Sequence, residues 1–83
     1  MPTFLVEAYG ANRGDAFADA REHALRTARL ANGVRYLRTT FLPGEETLLH
    51  VFEATSMDAL RRAIVVGALA HDRIVEAVEG SES

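Results

Sequence analysis

Three side chains of this sequence combine reactive chemistry with a spacing that can bring them together: Tyr36, Arg38 and His50. Tyr36 and Arg38 stand two apart in VRYLRTTFL, and His50 lies in TLLHVFEA. If these stretches are neighbouring strands, strand alternation turns all three to one face. His50 then takes or gives a proton near neutral pH. Arg38 is a permanent planar cation suited to a carboxylate, enolate or phenolate. Tyr36 orients a ligand by hydrogen bonding or stacking. Phe4, Val6, Leu48 and Phe52, with Thr40, supply the largely apolar wall of a small-molecule pocket. A plainer reading stays open, in which His50 and Arg38 satisfy each other's surroundings at a dimer interface.

Other chemistry is weaker. His50, joined by His23 or His71 from either subunit, is the candidate nickel or zinc ligand. Three dispersed histidines without His-x-His spacing and without cysteine give a poor metal signal. Asp19 and His23 stand four apart, which suits a solvated helix surface as well as a metal. The segment GANRG lacks the spacing and the lysine of a phosphate loop. No serine sits at nucleophile-motif spacing from a base.

The elements that must position these residues follow from periodicity. TFLVEAY, Thr3 to Tyr9, is β-branched and aromatic and reads as a strand ending at Gly10. Residues 10–14 form a glycine-bounded loop. From Asp15, the expected N-cap, Phe17, Ala20, Ala24 and Ala28 recur at helical spacing, and Asn32-Gly33 stops the helix. Its buried stripe is mostly alanine, so it can lie very close to what is beneath it. Val34 to Leu42 and Thr47 to Ala54 are strands joined by the turn Pro43-Gly44-Glu45-Glu46. Ser56 caps a second helix whose inner face is Met57, Leu60, Ile64 and Gly67. Arg73 to Val78 is a last strand, and residues 80–83 are a frayed, disordered tail. The order β-α-β-β-α-β over residues 1–79 is the ferredoxin-like split βαβ pattern, an α+β domain with both helices on one face of an antiparallel sheet.

Strand parity divides the sheet. One face carries Leu5, Glu7, Leu37, Phe41, Leu49, Val51 and Glu53. It is assigned to the helices, with Glu7 and Glu53 pairing at the rim with Arg61, Arg62 or Arg73. The other carries Phe4, Val6, Tyr36, Arg38, Thr40, Leu48, His50 and Phe52 and is left uncovered. So apolar a face does not suit water. Its expected cover is the same face of a second copy, forming a homodimeric barrel around a cavity. Ile64-Val65-Val66 cannot all reach one core, so one or two of them are exposed or touch a partner.

Size supports that assembly. Eighty-three residues make one small domain, and without cysteine no disulfide can staple it. The net charge of −3, with signs interspersed, opposes non-specific nucleic-acid or membrane binding. An RNA-recognition module would share the element order but needs a basic, aromatic sheet face. No apolar run reaches membrane-spanning length, the first ten residues lack a basic leader, and the expected location is the cytoplasm.

The stretch VRYLRTTFLPGEETLLHVFEATSMDALRRA, preceded by FLVEAY at Phe4 to Tyr9 and followed by DRIVEA at Asp72 to Ala77, resembles the DUF4242 family of small bacterial proteins. The resemblance implies a ferredoxin-like, dimeric α/β barrel. It also implies a choice of activities: one branch is described as nickel-binding, and the wider superfamily includes cofactor-free monooxygenases, isomerases and cyclases. The chain departs from the pattern at IVVGALA, Ile64 to Ala70, which lacks the family's histidine and proline, and at His50, where cysteine is common. That departure counts against nickel, and no catalytic role is carried over. The expectation is a homodimer that binds a small apolar or aromatic molecule between its sheets without an organic cofactor, with conversion of that molecule left open. The alternatives are nickel binding through His50 and a non-catalytic interaction module presenting Val65 and Val66.

Overall fold

The computed structural model describes residues 1–10 and 14–78, with side chains for 1–10 and 17–78. Residues 11–13 of the glycine-bounded loop and the tail at 80–83 therefore lie outside the described residues, while α1 already starts at Gly14, which puts Asp15, the expected cap, inside the first turn of the helix. Strand β1 runs Thr3–Tyr9, helix α1 Gly14–Arg29, β2 Val34–Leu42, β3 Thr47–Ala54, α2 Met57–Gly67 and β4 Arg73–Ala77. The four strands are antiparallel in the order β2-β3-β1-β4. This is the ferredoxin-like α+β arrangement that periodicity predicts.

Local chemistry sets the boundaries. The Ser56 hydroxyl accepts the Ala59 N–H at 3.0 Å and caps α2. Ala68, at φ 52°, ends α2 by returning its N–H to the Ile64 and Val65 carbonyls. Pro43 opens a short 3₁₀ turn, and Glu46 at φ 49° brings the chain round into β3. Asp72 ties β4 to β1 twice, its N–H reaching the Glu7 carbonyl and its carboxylate the Tyr9 N–H, both at 2.7 Å.

The two faces of the sheet are the reverse of the expected assignment. The core joins Phe4, Val6, Phe52 and Ala54 of the sheet to Ala24 and Ala28 of α1 and Leu60 and Ile64 of α2. Large sheet residues meet the alanine stripe, so volume is complementary across the layers. Leu5, Glu7, Leu49, Val51 and Glu53 share the opposite strand parity and form the uncovered face. Putting Glu7 and Glu53 under the helices would strip two carboxylates of water, which is costly unless each is paired. Instead Glu53 meets the exposed Arg35 at 3.6 Å across the outer face, and Glu7 accepts the Tyr9 hydroxyl at 2.6 Å. Neither pairs with Arg61 or Arg62, and Arg73, the third expected partner, stands opposite Glu7 in the β1–β4 register, on the uncovered face and not under the helices.

A second correction lies in β2. Tyr36 pairs with Phe52, but the next pair is Arg38 with Val51, then Thr39 with His50. One extra residue, Leu37, interrupts the register there, and a bulge of this kind flips everything beyond it to the other face. Tyr36 stays with the core, while Arg38 and Thr40 move outward.

The helices lie close together where α2 ends. A Cβ at Gly67 would run into the Thr27 side chain, an approach that glycine permits. Val65 and Val66 point outward and are 78% and 67% exposed, as the crowded run predicts.

Candidate functional site

His50 is buried at the centre of the sheet, on the side of the helices. Its Nδ1 lies 2.8 Å from Thr39 Oγ1, and the same hydroxyl lies 2.8 Å from the Tyr36 hydroxyl. The three form a hydrogen-bonded chain whose direction follows the imidazole tautomer. Phe52 packs on both ends, at a ring-centroid distance of 5.9 Å from Tyr36 and 6.4 Å from His50. Removal from water disfavours the imidazolium, and the neighbouring His23 opposes it further, so the His50 pKa falls to about 4. The imidazole is therefore neutral at physiological pH, an acceptor or donor within the core.

Of the expected cluster, Tyr36 and His50 do come together, but through Thr39 rather than with Arg38. Thr39 escaped sequence reading because only the bulge gives it the parity of His50. Phe4, Val6 and Phe52 surround this chain as core, and Leu48 is buried as well, so none of them lines an open wall. Arg38 and Thr40 do lie on the uncovered face, where they pair with Val51 and Leu49. The proton chemistry and the anion clamp assigned to one pocket thus sit on opposite sides of the sheet.

The other two imidazoles are also engaged. His23 bonds through Nε2 to the Gly67 carbonyl at the end of α2, and His71 Nδ1 lies 3.0 Å from the Leu69 carbonyl. Among the described residues, no three His, Asp or Glu side chains converge as a metal-ligand group.

The uncovered face holds an open concavity of about 530 Å³ near the β2–β3 turn. Leu5, Leu42 and Leu49 give it an apolar wall, and Glu7, Tyr9, Glu45 and Thr47 a polar rim. The Glu7 carboxylate raises the Tyr9 pKa, by accepting the hydroxyl and by its charge, with Arg73 acting in the opposite direction. Tyr9 thus keeps its proton and holds Glu7 in place. Thr47 donates to the Glu45 carbonyl at 2.9 Å, which fixes the turn that closes the concavity. Chemically, the concavity can hold a small apolar body and offer carboxylate oxygens to a cationic or N–H-donating head. The signal for it was in the sequence: Glu7 and Glu53 alternate with aliphatic residues, which marks a face in contact with water.

No helix among the described residues is long and apolar enough to cross a membrane. No protein-family model matches the chain, and no curated protein matches it. A solved structure does: the SCO4226 protein of Streptomyces coelicolor A3(2) superposes with a TM-score of 0.75 at 20% sequence identity, over 95% of this chain and 99% of that one. At that identity the similarity is one of fold.

Proposed function

We propose that the chain works as a homodimer that binds a small amine-bearing apolar molecule between two uncovered sheet faces. One observation carries this reading. The face away from the helices is aliphatic at its middle, where the half-buried Leu5, Leu49 and Val75 surround Val51, and no described element packs over them. A second copy is the fitting cover because the face carries both signs. Arg35, Arg38 and Arg73 lie on the two edge strands, and Glu7 and Glu53 on the inner two. A two-fold axis lets acids of one copy meet arginines of the other. Pairing the faces would turn each open concavity into an enclosed one, with Glu7 and Glu45 directed at the ligand's positive head.

Sedimentation velocity tests the assembly. The wild type is expected at twice the 9.1 kDa chain mass and the variant Leu49→Glu at the chain mass. A wild type that stays monomeric at 200 μM overturns the reading. Benzylamine, followed by amide shifts, tests the pocket. Shifts at Leu5, Tyr9 and Leu49 that weaken at least tenfold in Glu7→Gln are expected, and equal shifts with benzoate would refute an acidic site.

A further inference from the structure

The outer surface of the helix layer carries a pattern that the sheet-face reading does not use. Arg61 precedes Val65 by four residues, Arg62 precedes Val66, and Arg26 precedes Leu30. At that spacing each arginine lies beside its aliphatic partner on the helix surface. Val65, Val66 and Leu30 are 78%, 67% and 60% exposed, which is far from the core role of such side chains. Two shallow grooves run among them. One, of about 340 Å³, lies between the helices and includes Arg26, Arg29, Leu30 and Val66. The other, of about 320 Å³, is formed by Arg61, Arg62, Val65 and Val66. Val66 borders both, so they are one continuous surface.

The grooves are lined by cations, although the exposed Glu22 and Asp58 stand one helical turn before Arg26 and Arg62. Among the described residues, Arg26, Arg29, Arg61 and Arg62 make no ion pair, and no carboxylate lines either groove. This concentration of cations stands in a chain whose net charge is −3. Guanidinium forks are suited to carboxylates, and the aliphatic residues between them need apolar cover. We infer that the α1–α2 surface docks an acidic peptide segment of a partner protein, with apolar side chains at helical spacing seated on Leu30, Val65 and Val66. A nucleic acid would use the arginines but leave the aliphatic residues in water. A bilayer would favour a convex, aromatic-bearing surface over two concave grooves without aromatic residues. Docking of an amphipathic helix in a groove uses both features present here. The surface is on the opposite layer from the sheet face, so it stands whether or not the dimer forms.

The probe is a fluorescein-labelled 16-residue peptide of glutamate, alanine and leucine, with its leucines on one helical face. Fluorescence anisotropy is compared with that of a scrambled peptide of the same composition, phosphatidylserine vesicles and an oligo-dT strand. Saturable binding to the patterned peptide is expected, at least tenfold tighter than to the scrambled one. Amide shifts should be confined to α1 and α2. Arg61→Glu/Arg62→Glu and Val65→Ser/Val66→Ser are each expected to weaken it at least tenfold, and both change exposed positions that leave the fold intact. The proposal is overturned by equal binding of the scrambled peptide, by loss on charge reversal but not in the serine variant, by shifts on the sheet, by preference for vesicles or oligo-dT, or by no binding at 1 mM peptide.

Discussion

Acidification to pH 5 is expected to destabilise this protein substantially, and His50 to account for much of the loss. An unfolded chain holds a histidine near pKa 6.5, whereas burial beside His23 lowers the folded value to about 4. The sign follows from which state binds the proton. Above pH 6.5 neither state does, and the neutral imidazole contributes its full share of stability. As pH falls below 6.5 the unfolded chain takes up a proton that the folded one refuses, and stability drops until the folded group titrates near 4. The whole window is about 2.5 pKa units, a ceiling of about 3 kcal/mol at about 1.4 kcal/mol per unit. By pH 5, where most carboxylates are still ionised, the loss is about 2 kcal/mol. A domain of this size has about 4–12 kcal/mol in total, so the effect is large. With about 2 cal/mol/K of unfolding entropy per residue it lowers Tm by about 11 °C. The assay is thermal melting by circular dichroism at pH 7 and pH 5, at one protein concentration, for wild type and His50→Gln. Glutamine keeps a polar partner for Thr39 but cannot take the proton, so the variant starts less stable at pH 7 and loses less on acidification. His71 is common to both proteins and drops out of the difference, which then reports His50 together with its coupling to His23. Equal Tm losses in the two proteins, or a His50 imidazole that titrates near 6.5 by NMR, would refute the reasoning.

Two further perturbations read the helix layer. Gly67→Ala forces a methyl group against Thr27 Oγ1, which is itself held at 2.9 Å from the His23 carbonyl, so a loss of about 1–3 kcal/mol in urea unfolding is expected. Adding Thr27→Ala should recover part of it, and independent, additive losses would show that the two residues do not press on each other. Ala68→Gly relieves a left-handed φ of 52° at the end of α2 and is expected to raise stability by up to about 1 kcal/mol, with a higher urea midpoint as the readout.

Element order, strand limits and the Ser56 cap were legible in the sequence because each rests on local chemistry. The layer to which each face belongs was not, because parity sorts residues into two sets without saying which set meets the helices. Phe4, Val6 and Phe52 were read as a surface awaiting a partner, yet the alanine stripe of α1 had already specified that partner. Small residues on a helix leave room that large sheet residues must fill. Glu7 and Glu53 carried the same message in charge. The Leu37 bulge was illegible for a different reason: a one-residue register shift leaves composition and alternation intact while exchanging every later side chain between faces. Arg38 and His50 were therefore drawn together in sequence and separated by the thickness of the sheet.

That separation also distinguishes the two outward surfaces by the sign of their charge. A two-fold axis places a patch on its own copy, so a patch that self-associates must carry charges of both signs or none. The sheet face satisfies this, with Arg35, Arg38 and Arg73 set among Glu7 and Glu53. The helix grooves do not: Arg26, Arg29, Arg61 and Arg62 line them without a carboxylate, the exposed acids Asp19, Glu22 and Asp58 standing a turn or two away, so a copy seated on the grooves would bring arginines together, and like charges at an interface cost several kcal/mol. The same arginines that bar self-association there favour a carboxylate-bearing partner. On the two proposals together, the sheet divides one small domain into a side for its own copy and a side for a different, acidic molecule. Charge reversal at Arg61 and Arg62 should leave the sedimentation of the chain unchanged if, as proposed, the copy and the acidic partner use opposite layers.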